Sequence, residues 1–150
     1  MRESLYDAAG GAEGVLALAH AWHERVLADP VVSHAFEHGY RADHTERLAA
    51  YWAQQLGGPD SYTATMGDQS HVVRLHSGNG EHHEMDERAV SCFVEALDDA
   101  GLPDDAELRS ALVAWFRWGI GVMDSHPDSA DDVPDGLALP RWSWTGPVAG

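Results

Sequence analysis

Ten histidines in 150 residues define most of the chemistry open to this chain, and His76 has the most informative surroundings. It stands between the apolar run Val72-Val73-Arg74-Leu75 and the turn Ser77-Gly78-Asn79-Gly80. A neutral imidazole there can bind a borderline transition metal through one ring nitrogen. His23 follows Trp22 and lies three residues after His20. His44 precedes Leu48 by four, so both lie on one helical face. A pocket with His23 above, His44 at its wall and His76 below would sandwich a flat cofactor, with His76 as the single protein ligand of a haem iron. Nothing in the local spacing fixes which histidines converge, and core or boundary histidines with satisfied hydrogen bonds are the competing reading. His82 and His83 are adjacent, and helix neighbours do not face one another. A solvated face is expected there.

Other chemistries lack their motifs. There is no CxxCH, so any haem would be held without a covalent link. There is no HExxH, no phosphate-binding glycine loop with a lysine, and no nucleophile elbow. Ser70 and His71 are adjacent, which by itself orients no triad. Gly10-Gly11 marks a helix boundary rather than a nucleotide site, which needs a preceding strand. The single cysteine, Cys92, lies between apolar residues and reads as a buried, inert thiol.

The elements that must position these residues read as helices. Residues 3–9 make a short start. Val15, Leu18, Trp22, Val26 and Leu27 recur at helical spacing over 12–28, and Asp29-Pro30 stops that helix. Val31 to Phe36 is a short turn or helix. Residues 42–56 carry Leu48, Tyr51, Trp52 and Leu56 on one side and end at Gly57-Gly58-Pro59. Residues 60–67 are ambiguous, and a short helix leads to His76. Residues 84–99 turn Met85, Ala89, Val90, Phe93 and Leu97 inward. Asp104 and Glu107 are the expected capping pair of a last helix reaching about Met123. No alternating strand pattern persists, so the class is all-α. Residues 125–150 form a proline-rich tail, and Trp142 and Trp144 imply that part of it docks on the body, because an exposed tryptophan pair costs solubility.

Composition narrows the function classes. A chain of this length supports one domain with a real core. Hydrophobic residues make up 44%, well above what a disordered chain carries. Nine basic residues against 25 acidic ones give a net charge of -16, which argues against nucleic acid and anionic membranes as partners. No apolar run approaches a membrane span and no signal peptide is evident, so a cytoplasmic home is expected. Oligomeric state is unmarked.

Several separated segments resemble the truncated haemoglobins, most closely their group II branch. They are Tyr6-Asp7-Ala8-Ala9-Gly10-Gly11, Phe36, Glu46-Arg47-Leu48, Trp52, Leu56-Gly57-Gly58-Pro59-Asp60-Ser61-Tyr62, Leu75-His76 and the stretch to Cys92. They occur in order over residues 5–124, so residues 1–124 are expected to form the globin domain. Ala96 to Pro103 and Pro140 to Trp144 resemble an actinobacterial subgroup. The resemblance implies a two-over-two helical sandwich around haem b. It makes His76 the proximal ligand and Phe36 the aromatic against the porphyrin. His23 falls at a distal position usually held by tyrosine, His44 at one often held by alanine, and Leu48 one turn later. Tyr51 and Trp52 match aromatic positions near the haem edge or core. Arg74, Val90 and Phe93 complete the expected cofactor contacts, and Ala89 falls where group II normally has a tryptophan.

Those departures shape the expected function. Two imidazoles replace the usual phenol and indole donors. Either would stabilise the charge that develops on bound oxygen, by roughly 1–3 kcal/mol for a charge-assisted bond. His44 would alternatively reach the iron itself. Ala89 is expected to open distal volume for a larger guest or a water. The resemblance therefore implies a haem b protein binding O2 or another small ligand, for carriage or storage. Peroxidase or nitric oxide dioxygenase chemistry, with a redox partner drawn to the acidic surface, is the enzymatic alternative. A cofactor-free helical interaction module is the reading from another class.

Overall fold

The computed structural model describes residues 3–148. Seven α-helices account for most of the described residues. They are α1 (Leu5–Ala8), α2 (Gly11–Ala28), α3 (His44–Gln55), α4 (Ser61–Thr65), α5 (Gln69–His76), α6 (His83–Asp99) and α7 (Ala106–Met123). A 3-10 turn over Val32–Phe36 joins α2 to the loop before α3. The ambiguous stretch at 60–67 contains α4, a single helical turn held from outside. Gln54 donates to Thr63 Oγ1 (2.8 Å) and accepts from its backbone N–H (3.1 Å).

α2 organises the fold. Gly10 takes a left-handed conformation (φ 103°) that lets the chain turn from α1 directly into α2. Gly14 then passes so close to α1 that a Cβ there would stand 1.9 Å from the Ala9 carbonyl oxygen. Val15, Leu18, Ala19, His23 and Val26 form the buried stripe. His23 thus occupies a position where the helical period demands an inward side chain.

α2 packs on both α3 and α6, and α6 packs on α7, giving two helix pairs crossed over one another. Trp52 of α3 sits at the centre. Its ring centroid lies 5.6 to 6.0 Å from those of Trp22, Phe93, Trp115 and Phe116, mostly edge to face. The Trp115 indole donates to Gln55 Oε1 (3.1 Å), which satisfies two buried polar groups at once. At the rim, Arg25 ties α2 to α6 through Asp99 (2.6 Å) and Glu95 (2.9 Å).

One local expectation needs correction. The cap of α7 is Asp105, whose carboxylate accepts from the N–H groups of Glu107 (3.0 Å) and Leu108 (3.2 Å). Asp104 lies one residue too early to reach them. The described residues are all-α as expected, apart from a two-residue antiparallel hairpin in the tail, Trp142–Ser143 (β1) with Gly146–Pro147 (β2). Strands this short leave no periodic signature. The tail is docked on the body: Trp144 donates to the Glu3 carbonyl (2.8 Å), and Arg141 donates to the Gln54 carbonyl (3.2 Å). Among the described residues, no helix is long and apolar enough to cross a membrane.

Candidate functional site

His76 is the last residue of α5, whose first turn is capped by Asp68 accepting from the His71 N–H (2.8 Å). Its ring Nδ1 stands 2.8 Å from the Val72 carbonyl oxygen, one turn back. A carbonyl can only accept, so this contact assigns the proton to Nδ1 and leaves the lone pair on Nε2. Burial among protein atoms pushes the imidazole below its ordinary value; the Val72 bond opposes this and His82 adds to it. The residue nevertheless keeps an exposed edge. Both facts suit a side chain that lines a cleft: many protein atoms within reach, one face open. The ring is neutral near pH 7, with a free nitrogen lone pair.

His23, Phe36, Tyr40 and His44 form a second cluster. The His23 centroid lies 5.0 Å from Phe36, 4.7 Å from Tyr40 and 4.9 Å from His44. His44 is 5.2 Å from Phe36. α2 supplies His23, the 3-10 turn supplies Phe36, the loop supplies Tyr40, and His44 opens α3. His23 is only 6% exposed, yet neither of its ring nitrogens has a hydrogen-bond partner, and His44 Nε2 is likewise buried and unpartnered. Leaving such groups unpaired costs about 1–3 kcal/mol each. Burial lowers the His23 pKa, with His44 and His20 adding to the effect and Glu24 opposing it. His44 is lowered chiefly by burial, against Asp43 and Glu46, with a further contribution from His76.

The remaining candidates are distributed differently. Leu48 packs, partly buried, against the core. Tyr51 and Trp52 lie in the core, where the Tyr51 hydroxyl donates to Gln69 Oε1 (2.6 Å). Both line a cavity of about 60 Å³ between α3 and α7, which also touches Gln55, Trp115 and Phe116. None of the three histidines lines it. Val90 is buried, and Phe93 stacks on Phe116 at 4.3 Å. The Arg74 guanidinium is turned to the tail, where it pairs with Asp135 and donates to the Val133 carbonyl (3.0 Å).

Ala89 is buried, and the Trp22 indole of α2 donates to its backbone carbonyl (3.1 Å). Tyr40 was absent from the sequence-derived candidates. It lies in an irregular loop with no periodicity to assign it a face.

His82 departs from the expected solvated face. Its Nδ1 lies 2.9 Å from Asp86 and its Nε2 3.5 Å from Asp124, the residue that ends α7. Burial and the neighbouring Asp86 carboxylate push the Asp124 carboxyl up to about 7. His83 points to solvent as expected.

Comparison with known proteins resolves what this arrangement is. Residues 4–118 match the family model described as bacterial-like globin. This chain belongs to the bacterial-like globin family. Its fold is that of the truncated haemoglobins. It superposes on a haemoglobin from Chloroflexus aurantiacus with a TM-score of 0.69 at 23% identity, covering 81% of this chain and 98% of that one. The group II truncated haemoglobin of Bacillus anthracis gives 0.69 at 20% identity, covering 86% and 96%. A thermostable haemoglobin from the actinobacterium Thermobifida fusca gives 0.67 at 28% identity, covering 81% and 96%. As a globin, the chain is a haem b protein of the O2-binding class. Its residues fit that cofactor: His76 offers a free Nε2, and both ring nitrogens of His23 and the Nε2 of His44 are buried without partners within the protein.

Proposed function

We propose that this globin reversibly binds O2, for carriage or storage, with His76 as the iron ligand and His23 and His44 facing the bound gas. Haem, when held by His76, would supply the iron needed for reversible binding of a diatomic gas. The protein supplies the rest. The Val72 carbonyl holds the His76 ring through Nδ1–H and directs the Nε2 lone pair outward. His23 and His44, kept neutral by burial, each have one N–H to donate and one bare nitrogen. Phe36 and Tyr40 flank them and limit access of water. The observation that carries this reading is the set of unpartnered buried nitrogens at His23 and His44, a polar surface whose partner lies outside the polypeptide.

The decisive experiment is the absorption spectrum of purified protein with and without His76→Ala. A strong Soret band that the substitution weakens or shifts supports the assignment. A folded protein that takes up no added haemin would reject it in favour of a cofactor-free module.

A second reading rests on the same two imidazoles. A neutral imidazole accepts a proton at one nitrogen while releasing one from the other, a relay that would serve cleavage of peroxide, and an imidazole near bound oxygen would also be compatible with nitric oxide dioxygenation given a reductant. Turnover assays with peroxide, or with nitric oxide and a reductant, separate carrier from enzyme. The acidic surface suits a basic electron-donating partner, and the absence of a spanning helix among the described residues suits a cytoplasmic setting. The Ala96–Pro103 and Pro140–Trp144 segments support placement in an actinobacterial subgroup of group II.

A further inference from the structure

α5 carries His76 yet has only 8 residues, too few to be stable alone, since isolated helices shorter than about 12–15 residues are marginal in water. Something outside it must hold it. Ser70 is 1% exposed, and both capacities of its hydroxyl are taken by the tail. Its Oγ donates to the Pro134 carbonyl (2.7 Å) and accepts from the Leu137 N–H (3.0 Å). Arg74, one turn later on the same face, donates to the Val133 carbonyl (3.0 Å) and pairs with Asp135. Val133 is itself buried beside them. Beyond His76, the Gly78 N–H donates to the His126 carbonyl (3.0 Å), and the Gly80 N–H to the Pro127 carbonyl (2.9 Å).

We infer that residues 126–137 form a brace that sets the orientation of the His76 imidazole, with Ser70 and Arg74 as its positioning residues. The helical period places the grip opposite the ring. Each residue advances about 100° around the axis, so Arg74 and His76 point about 200° apart. The tail therefore clamps the back of the helix whose front presents the imidazole, and it clamps the loop that follows. A short helix held only by its front would roll about its axis and carry Nε2 with it. The brace lies beyond the residues matched to the globin family, which end at 118. The inference rests on the assignment of His76 as iron ligand.

The test uses full-length ferrous holo-protein, comparing wild type with Ser70→Ala and Arg74→Gln. Trp144→Phe serves as a control that loosens the tail far from α5, at Glu3. Two quantities are read: amide hydrogen exchange over residues 69–80 and 126–137, and the iron–histidine stretching band in the resonance Raman spectrum. Each positioning variant is expected to speed exchange in both segments by about tenfold, the loss of roughly one net hydrogen bond, and to shift or broaden the iron–histidine band. The control should leave the band unchanged. Faster exchange with an unaltered band in both positioning variants would show a docked tail without influence on the imidazole and overturn the brace. Unaltered exchange would overturn it as well. A wild-type protein with no iron–histidine band would refute the ligand assignment itself, a distinguishable failure. If Ser70→Ala does not fold, Arg74→Gln decides alone, because it cuts the partly exposed end of the grip.

Discussion

The rings of His23 and His44 stand 4.9 Å apart, centroid to centroid, one from the middle of α2 and one from the first turn of α3. Neither Nε2 has a partner. A buried and a half-buried imidazole with unsatisfied buried nitrogens, in contact with each other, are a cost to the fold that the proposed gas-binding role would offset.

That cost is measurable in the haem-free protein. His23→Phe replaces a buried, unpaired imidazole with a ring of similar size between Phe36 and Tyr40. The apo-protein is expected to gain about 1–3 kcal/mol of stability, the penalty of the unpaired group. Urea unfolding of the two apo-proteins checks this, and a loss of stability would show that His23 is satisfied in the apo state.

The same substitution, and His44→Leu, should accelerate O2 release from the holo-protein. Loss of one charge-assisted donor costs roughly 1–3 kcal/mol, and 1.4 kcal/mol is about tenfold in rate. Stopped-flow O2 dissociation gives the answer. If neither rate moves by even a few-fold, neither histidine is a donor to the gas.

Stability should fall as pH rises through neutrality, because of the cluster at the end of α7. The Asp124 carboxyl is pushed from its ordinary 3.8 up to about 7 by burial and Asp86. His82 is also raised: burial works against it, but Asp86 and Asp124 outweigh burial. Both groups hold their protons more tightly in the folded chain. Their contribution is therefore complete below the unfolded values and lost as pH passes the folded ones. His23 and His44 are lowered by burial, so their contribution runs oppositely and is lost on acidification below about 6.5. Asp124→Asn should flatten the alkaline side of the profile and leave the acid side in place. Thermal melts of both proteins from pH 5 to pH 8 test it. An unchanged alkaline slope in the variant would place the effect elsewhere.

Gly14→Ala should be strongly destabilising although alanine favours helices, because its Cβ would meet the Ala9 carbonyl oxygen at 1.9 Å. Overpacking typically costs about 1–3 kcal/mol, and this clash is with backbone that cannot swing aside. Chemical denaturation should place the loss in that range or above. Gly121→Ala, where no neighbour lies within 4 Å, is the matched control and should be neutral or mildly stabilising.

Much of this molecule was legible in the sequence where a regular period or a local rule decides. The stripe of α2, the breaks at Asp29-Pro30 and Gly57-Gly58-Pro59 and the inward residues of α6 follow from helical geometry and from residues that cannot continue a helix. The place of His76 at the end of a short helix followed from the apolar run before it, and the order of separated motifs carried the family. Only tertiary structure decided what side chains on different elements do together. It brought His23 to His44, set Tyr40 beside both, tied the Trp22 indole to the Ala89 carbonyl, and joined His82 to Asp124 across two helix ends. It also turned Arg74 to the tail and clamped α5 from behind. Such contacts span tens of residues and depend on how helices cross, a property that no local spacing encodes.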